Sequence, residues 1–65
     1  PRLRRNQVIA LQEILNQKGF NVGTPDGILG PGMRRAISEF QHQEGMIADG
    51  FVSKEVLALL GVNVE

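Results

Sequence analysis

Apolar positions along the chain recur at helical rather than strand spacing, in three separate runs. Val8, Leu11 and Leu15 share one face of a first helix, with Ile14 widening the stripe, and Met33, Ala36, Ile37 and Phe40 mark a second. A shorter run, Val56, Leu57 and Leu60, marks a third. The punctuation agrees with the pattern each time. Asn6 stands as a good N-cap for the first helix, Gly30 followed by Pro31 opens the second, and Ser53 opens the third. Each run ends in glycine followed by an apolar residue, at Gly19-Phe20, Gly45-Met46 and Gly61-Val62. That is the composition of a Schellman cap, with the apolar residue folding back on Leu15, Phe40 and Leu57 respectively.

The connections carry an internal repeat. Asp26-Gly27-Ile28-Leu29-Gly30 and Asp49-Gly50-Phe51-Val52-Ser53 each precede a helical run. Aligned on the Asp-Gly pairs, Met33 falls on Val56, Ala36 on Leu59 and Ile37 on Leu60. Asp-Gly is also a strong hairpin signal, but the alternating apolar flanks of a strand pair are missing. The expected fold is therefore all-α, a small three-helix bundle built on two Asp-Gly loop-then-helix repeats. The domain is expected over residues 6–62, with a linker or flank over 1–5 and a tail over 63–65.

A turn alone explains both residue types of the Asp-Gly pairs. The aspartate accepts from backbone N–H groups just ahead of it, and glycine takes positive φ, which costs other residues ~1–2 kcal/mol. Ile28 and Phe51 are then expected to turn inward, leaving all three phenylalanines buried. Gln12, between Val8 and Leu15 on the first helix, is expected inside, clamping loop backbone with its amide. Gln41 is expected at the edge of its stripe, in line with Ser38 and Arg34 along a polar seam.

Composition removes whole classes of function. Sixty-five residues make one domain, which hides only ~60% of the surface its unfolded chain exposes. Without cysteine and with one histidine, neither disulfides nor the usual zinc ligand sets can form. Calcium would need further oxygen ligands after Asp26 and Asp49, where the chain is apolar. No metal or cofactor is expected. Seven basic residues balance seven acidic ones, so the electrostatic footprint of a nucleic-acid binder is absent, a helix-turn-helix reader included. The longest apolar stretch, Val56 to Leu60, falls far short of the ~20 residues of a membrane span. The chain opens at Pro1 with no signal-peptide pattern, as expected of a processed or excised segment. One histidine, scattered hydroxyls and surface carboxylates assemble no nucleophile, base and orienting group. His42 is expected to be solvated.

Seven short pairs in order, Leu11-Gln12, Gly19-Phe20, Asp26-Gly27, Gly30-Pro31, Ala36-Ile37, Phe40-Gln41 and Asp49-Gly50, carry a resemblance. The chain resembles the peptidoglycan-binding domain appended to bacterial cell-wall hydrolases, over Val8 to about Leu60. Met33 departs from the threonine common in that family, a matter of local helix packing. The resemblance implies a non-catalytic module that holds an attached lytic transglycosylase, amidase, muramidase or peptidase on murein, in the periplasm or the extracellular wall. Peptidoglycan and the covalently linked hydrolase are the implied partners, and a monomer is the expected state. A module that docks on its parent enzyme or an envelope assembly partner is the alternative. The fold also occurs in propeptides of matrix metalloproteinases, but their inhibitory cysteine has no counterpart here.

Lacking Trp and Tyr, the chain offers no sugar platform with a polar tip, so ligand contacts are expected on hydrogen-bonding groups. The start of the second helix supplies unpaired N–H groups, with Arg34 one turn along. The expected ligand site is shallow and built from Asp26, Gly27, Gly30, Arg34, Ser38 and Gln41. Arg35 is expected to be a solvated partner of Glu39.

Overall fold

The computed structural model describes residues 3–62 as three helices: α1 (Arg5–Gln17), α2 (Pro31–Gln43) and α3 (Lys54–Leu60). No strand occurs among the described residues. The three expected stripes converge. Leu11 and Leu15 of α1, Met33, Ala36, Ile37 and Phe40 of α2, and Val56, Leu57 and Leu60 of α3 form one buried cluster. Phe20 packs edge-on against Phe40, with ring centroids 5.9 Å apart at 86°. Ile14, Val22, Met46, Val52 and Val62 close over the cluster from its margins. Fully burying each large aliphatic side chain contributes about 1.5–3 kcal/mol, and the cluster holds the molecule together without disulfides.

All three helices end as expected. Phe20, Met46 and Val62 donate their N–H groups to the carbonyls of Leu15, Gln41 and Leu57 at 2.9, 2.8 and 2.9 Å. The glycines before them donate to Asn16, His42 and Ala58, completing the paired bonds of a Schellman cap. At the other ends, Gly30 caps α2 with Pro31 in the first turn, and the Ser53 hydroxyl accepts from the Val56 N–H at 3.2 Å.

The start of α1 departs from expectation. Arg4, not Asn6, is the N-cap residue, and Asn6 lies inside the first turn. The Arg4 N–H is satisfied by the Gln7 side-chain oxygen at 2.7 Å, half of a capping box, so the helix can begin without a short polar cap side chain. Leu3 packs on the core just ahead of it. Residues 3–5 of the expected flank thus belong to the fold, while residues 1–2 and the expected tail at 63–65 lie outside the described residues. The repeat alignment also fails at one position. Ala36 is buried, whereas its counterpart Leu59 is 52% exposed on the outer face of α3.

Candidate functional site

The two inter-helix loops are held by the same device, built twice. Gln12, buried in α1, accepts from the Gly27 N–H at 2.9 Å through Oε1. Its Nε2 donates to Asp26 Oδ1 at 3.1 Å and to the Ile28 carbonyl at 3.2 Å. Asp26 Oδ1 also accepts from the Ile28 N–H at 2.9 Å, closing an Asx turn. Gln41 in α2 repeats every bond. Its Oε1 accepts from Gly50 N–H at 2.9 Å, its Nε2 donates to Asp49 Oδ1 at 3.0 Å and to the Phe51 carbonyl at 3.3 Å, and Phe51 N–H donates to Asp49 at 2.9 Å. Gln41 is therefore only 2% exposed and is not a residue of a polar seam. Its amide serves loop two as Gln12 serves loop one.

The clamp dictates where the next side chain goes. With the N–H of Ile28 bonded to Asp26 and its carbonyl to Gln12, the backbone faces the protein and the side chain is left on the solvent side. Ile28 is 65% exposed, and Phe51, held identically, is 68% exposed. Both were expected inside. Phe40 alone of the three phenylalanines is fully buried, Phe20 being half-buried.

Both glycines adopt left-handed backbone, φ +80 at Gly27 and φ +75 at Gly50. Their surroundings differ. A Cβ on Gly50 would lie 3.2 Å from the Arg34 carbonyl oxygen, so the second turn sits directly on the α2 backbone. A Cβ on Gly27 would run into the Arg5 side chain at its Cγ, so Arg5, which is exposed, would have to turn about its Cα–Cβ bond to make room.

The Ile28 N–H, followed by the Gln12 amide, holds the Asp26 carboxyl below its ordinary value of 3.8, with Arg5 a lesser contributor. The Phe51 N–H and then Gln41 do the same at Asp49. A carboxyl lowered by folding stabilises the fold when ionised, above its unfolded pKa, and that contribution disappears as pH falls through the folded value. Thermal midpoints should accordingly be level near neutrality and decline below about pH 4. Asp49→Asn should be less stable at pH 7 and show a shallower acid decline. An equally steep decline in that variant would remove Asp49 from the explanation.

The six expected ligand residues do not form one surface. Asp26 and Gly27 line a hollow with Leu3, Arg5, Ile28 and Leu29. Gly30 caps α2 beside it, its carbonyl accepting the Arg34 N–H at 3.1 Å. The Arg34 side chain lines a second, adjoining groove with Leu29, Gly50 and Phe51. Ser38 lies apart, in a hollow with Phe20 and His42, where its hydroxyl donates to the Ala48 carbonyl at 3.3 Å. Gln41 is committed to its clamp. The apolar part of this face, Leu3, Leu29 and Phe51, is not signalled by the sequence pattern, and the Asp-Gly register does not pair Gln41 with Gln12, since Gln12 stands 14 residues before Asp26 and Gln41 only 8 before Asp49.

Among the described residues no three His, Asp or Glu side chains gather as a possible metal site, and no helix is long and apolar enough to cross a membrane. Among the described residues the arrangement offers a partly apolar surface with exposed cationic side chains.

Comparison with known proteins agrees with this architecture. SltB3 from Pseudomonas aeruginosa, solved in complex with NAG-NAM-pentapeptide, is similar over 91% of this chain, with 39% identity and a TM-score of 0.85. The same protein in complex with NAG-anhNAM-pentapeptide superposes with a TM-score of 0.85 and 38% identity over 92% of this chain. The Localization factor PodJL of Caulobacter vibrioides is 37% identical over 51 residues, 78% of this chain. The chain corresponds to 16% of the solved SltB3 chain and 5% of the localization factor. The family described as "Putative peptidoglycan binding domain" matches residues 4–60, from the α1 cap to the end of α3. With nearly all of its helices, caps and both clamped loops inside that match, the chain belongs to the peptidoglycan binding domain family.

Proposed function

We propose that this chain is a non-catalytic module that anchors an attached cell-wall hydrolase to peptidoglycan. The family match across all three helices carries this reading. It is supported by the likeness to part of SltB3, a far longer protein solved with murein fragments. The attached enzyme would be a lytic transglycosylase, amidase, muramidase or peptidase, working in the periplasm or the extracellular wall. A shallow site binds weakly, but a covalent link turns the enzyme's encounter with its substrate into an intramolecular event at high effective concentration. A monomer suffices for that task.

The ligand face is placed on Asp26, Gly27, Gly30 and Arg34, where two clamped loops project apolar side chains beside exposed guanidinium groups. Ser38 belongs to a separate hollow, and Gln41 supports the face from beneath. Sedimentation with purified sacculi tests the reading. The 65-residue chain should partition with the pellet in a saturable manner, and a chain left in the supernatant at every sacculus concentration would refute it. The exposed Ile28, Leu29 and Phe51 also favour a second reading, docking on the parent enzyme. That reading predicts co-elution with the rest of the parent protein and no sedimentation.

A further inference from the structure

Between the two Asp-Gly loops runs a groove of about 220 Å³, walled by Leu3, Leu29, Ile37, Phe51 and Val52. Among the described residues Arg34 is the one charged residue that lines it. The neighbouring hollow is different in kind, because there Arg5 lies near the Asp26 carboxylate. Among the described residues Arg34 has no ion-pair partner. An apolar trough with one uncompensated guanidinium favours an occupant that is mostly aliphatic and carries one carboxylate.

We propose that the part of murein held by this groove is the carboxylate-bearing end of a stem peptide, with Arg34 as the partner of its terminal carboxylate. The inference rests on the anchoring function above and specifies its ligand. Two features separate peptide from glycan. A pyranose presents hydroxyls on every side and needs many polar partners, whereas among the described residues Arg34 is the only polar side chain in the lining. A run of alanines ending in a carboxylate presents methyl groups and one anion, which match the walls and Arg34. Size agrees, since the groove is smaller than the ~300–1,000 Å³ of clefts that engulf a whole drug-sized ligand. It takes an end, not a disaccharide.

The clamps make this groove worth having. Phe51 is fixed by bonds through both its own N–H and its carbonyl, and Gly50 lies against α2. Little ordering of the loop is then needed when ligand arrives, which favours affinity in a small contact.

Titration of the isotope-labelled chain with three probes tests the proposal: NAG-NAM-pentapeptide, the same disaccharide without peptide, and the pentapeptide with its terminal carboxyl converted to carboxamide. The first should shift the amides of Leu29, Arg34, Gly50, Phe51 and Val52, and the bare disaccharide should leave them in place. Carboxamide should weaken binding about tenfold, as expected for the loss of one charge-assisted contact. Arg34→Ala should weaken the free acid by a similar factor, and the carboxamide no further. Phe51→Ser, which removes an exposed wall, should also weaken the pentapeptide. Disaccharide binding at these amides, or equal affinity for acid and amide, overturns the proposal while leaving murein anchoring intact. Failure to sediment with sacculi overturns the anchoring function itself.

Discussion

Replacing Gln41 with alanine should destabilise the domain by about 3 kcal/mol, the largest effect expected of any polar substitution in the chain. The Gly50 N–H that it satisfies is itself buried and loses its partner when the amide is gone. The Phe51 carbonyl and the Asp49 carboxylate lose their shared donor in the same step. A chain of this length has a total stability of about 3–10 kcal/mol, so the loss removes about a third of it or more. Urea titration followed by helical circular dichroism reads the effect. Gln12→Ala should cost less, about 2 kcal/mol, because its bonds to loop one are only partly buried. Gln41→Glu separates hydrogen bonding from packing. It keeps the acceptor for Gly50 but sets a second carboxylate 3.0 Å from Asp49, and should recover stability when the pair is protonated. A Gln41→Ala unfolding free energy within about 0.5 kcal/mol of the parent would mark Gln41 as an ordinary surface residue and remove the clamp.

The second large effect is an asymmetry between two glycines that the sequence presents as equivalents. Gly27→Ala should cost about 1–2 kcal/mol for holding a side chain at positive φ, plus about 1 kcal/mol for forcing the exposed Arg5 side chain into another rotamer. Gly50→Ala carries the same positive-φ strain and adds a clash with the α2 backbone at the Arg34 carbonyl, which cannot move without disturbing the core face of α2. Overpacking of that kind costs about 1–3 kcal/mol more. The same urea titrations compare the two variants. Equal losses would mean that loop two is not seated on α2 as described.

Much of this fold could be read from local signals. The stripe residues of all three helices, the glycine-plus-apolar caps, Pro31 in the first turn of α2 and Ser53 at the head of α3 depend on neighbours within a few residues. Gln12 was also legible, since its helical angle falls between Val8 and Leu15. Gln41 is not legible in the same way, because its position at the stripe edge and its alignment with Ser38 and Arg34 point to a solvent seam. What buries it is loop two, eight residues further on, folding back over α2. The start of α1 was misplaced for a related reason. Asn6 is the better cap by residue type, yet the Gln7 side chain reaches back to Arg4 and makes an earlier start possible.

The proposed ligand face is the least legible feature. Ile28 and Phe51 read as core by hydrophobicity, and only the pair of hydrogen bonds made by each residue's own backbone turns them outward. Once they point to solvent, the site gains an apolar character that a search for hydrogen-bonding side chains does not find. The residues Leu3, Leu29 and Phe51 come from the N-terminal approach and from two different loops. Their meeting is a property of the tertiary structure alone.

In the proposed function, two glutamine clamps hold the Asp-Gly loops so that their exposed side chains form a murein-binding face. Sacculus retention of a Leu29→Ser, Phe51→Ser double variant, compared with its urea midpoint, is the decisive measurement. Both side chains are substantially exposed, 43% and 68%, so the folded state should survive with a nearly unchanged midpoint. Retention should nevertheless fall about tenfold or more, as expected when a preorganised apolar contact is removed. Undiminished retention by the folded variant would contradict the account and move murein binding to another face of the bundle.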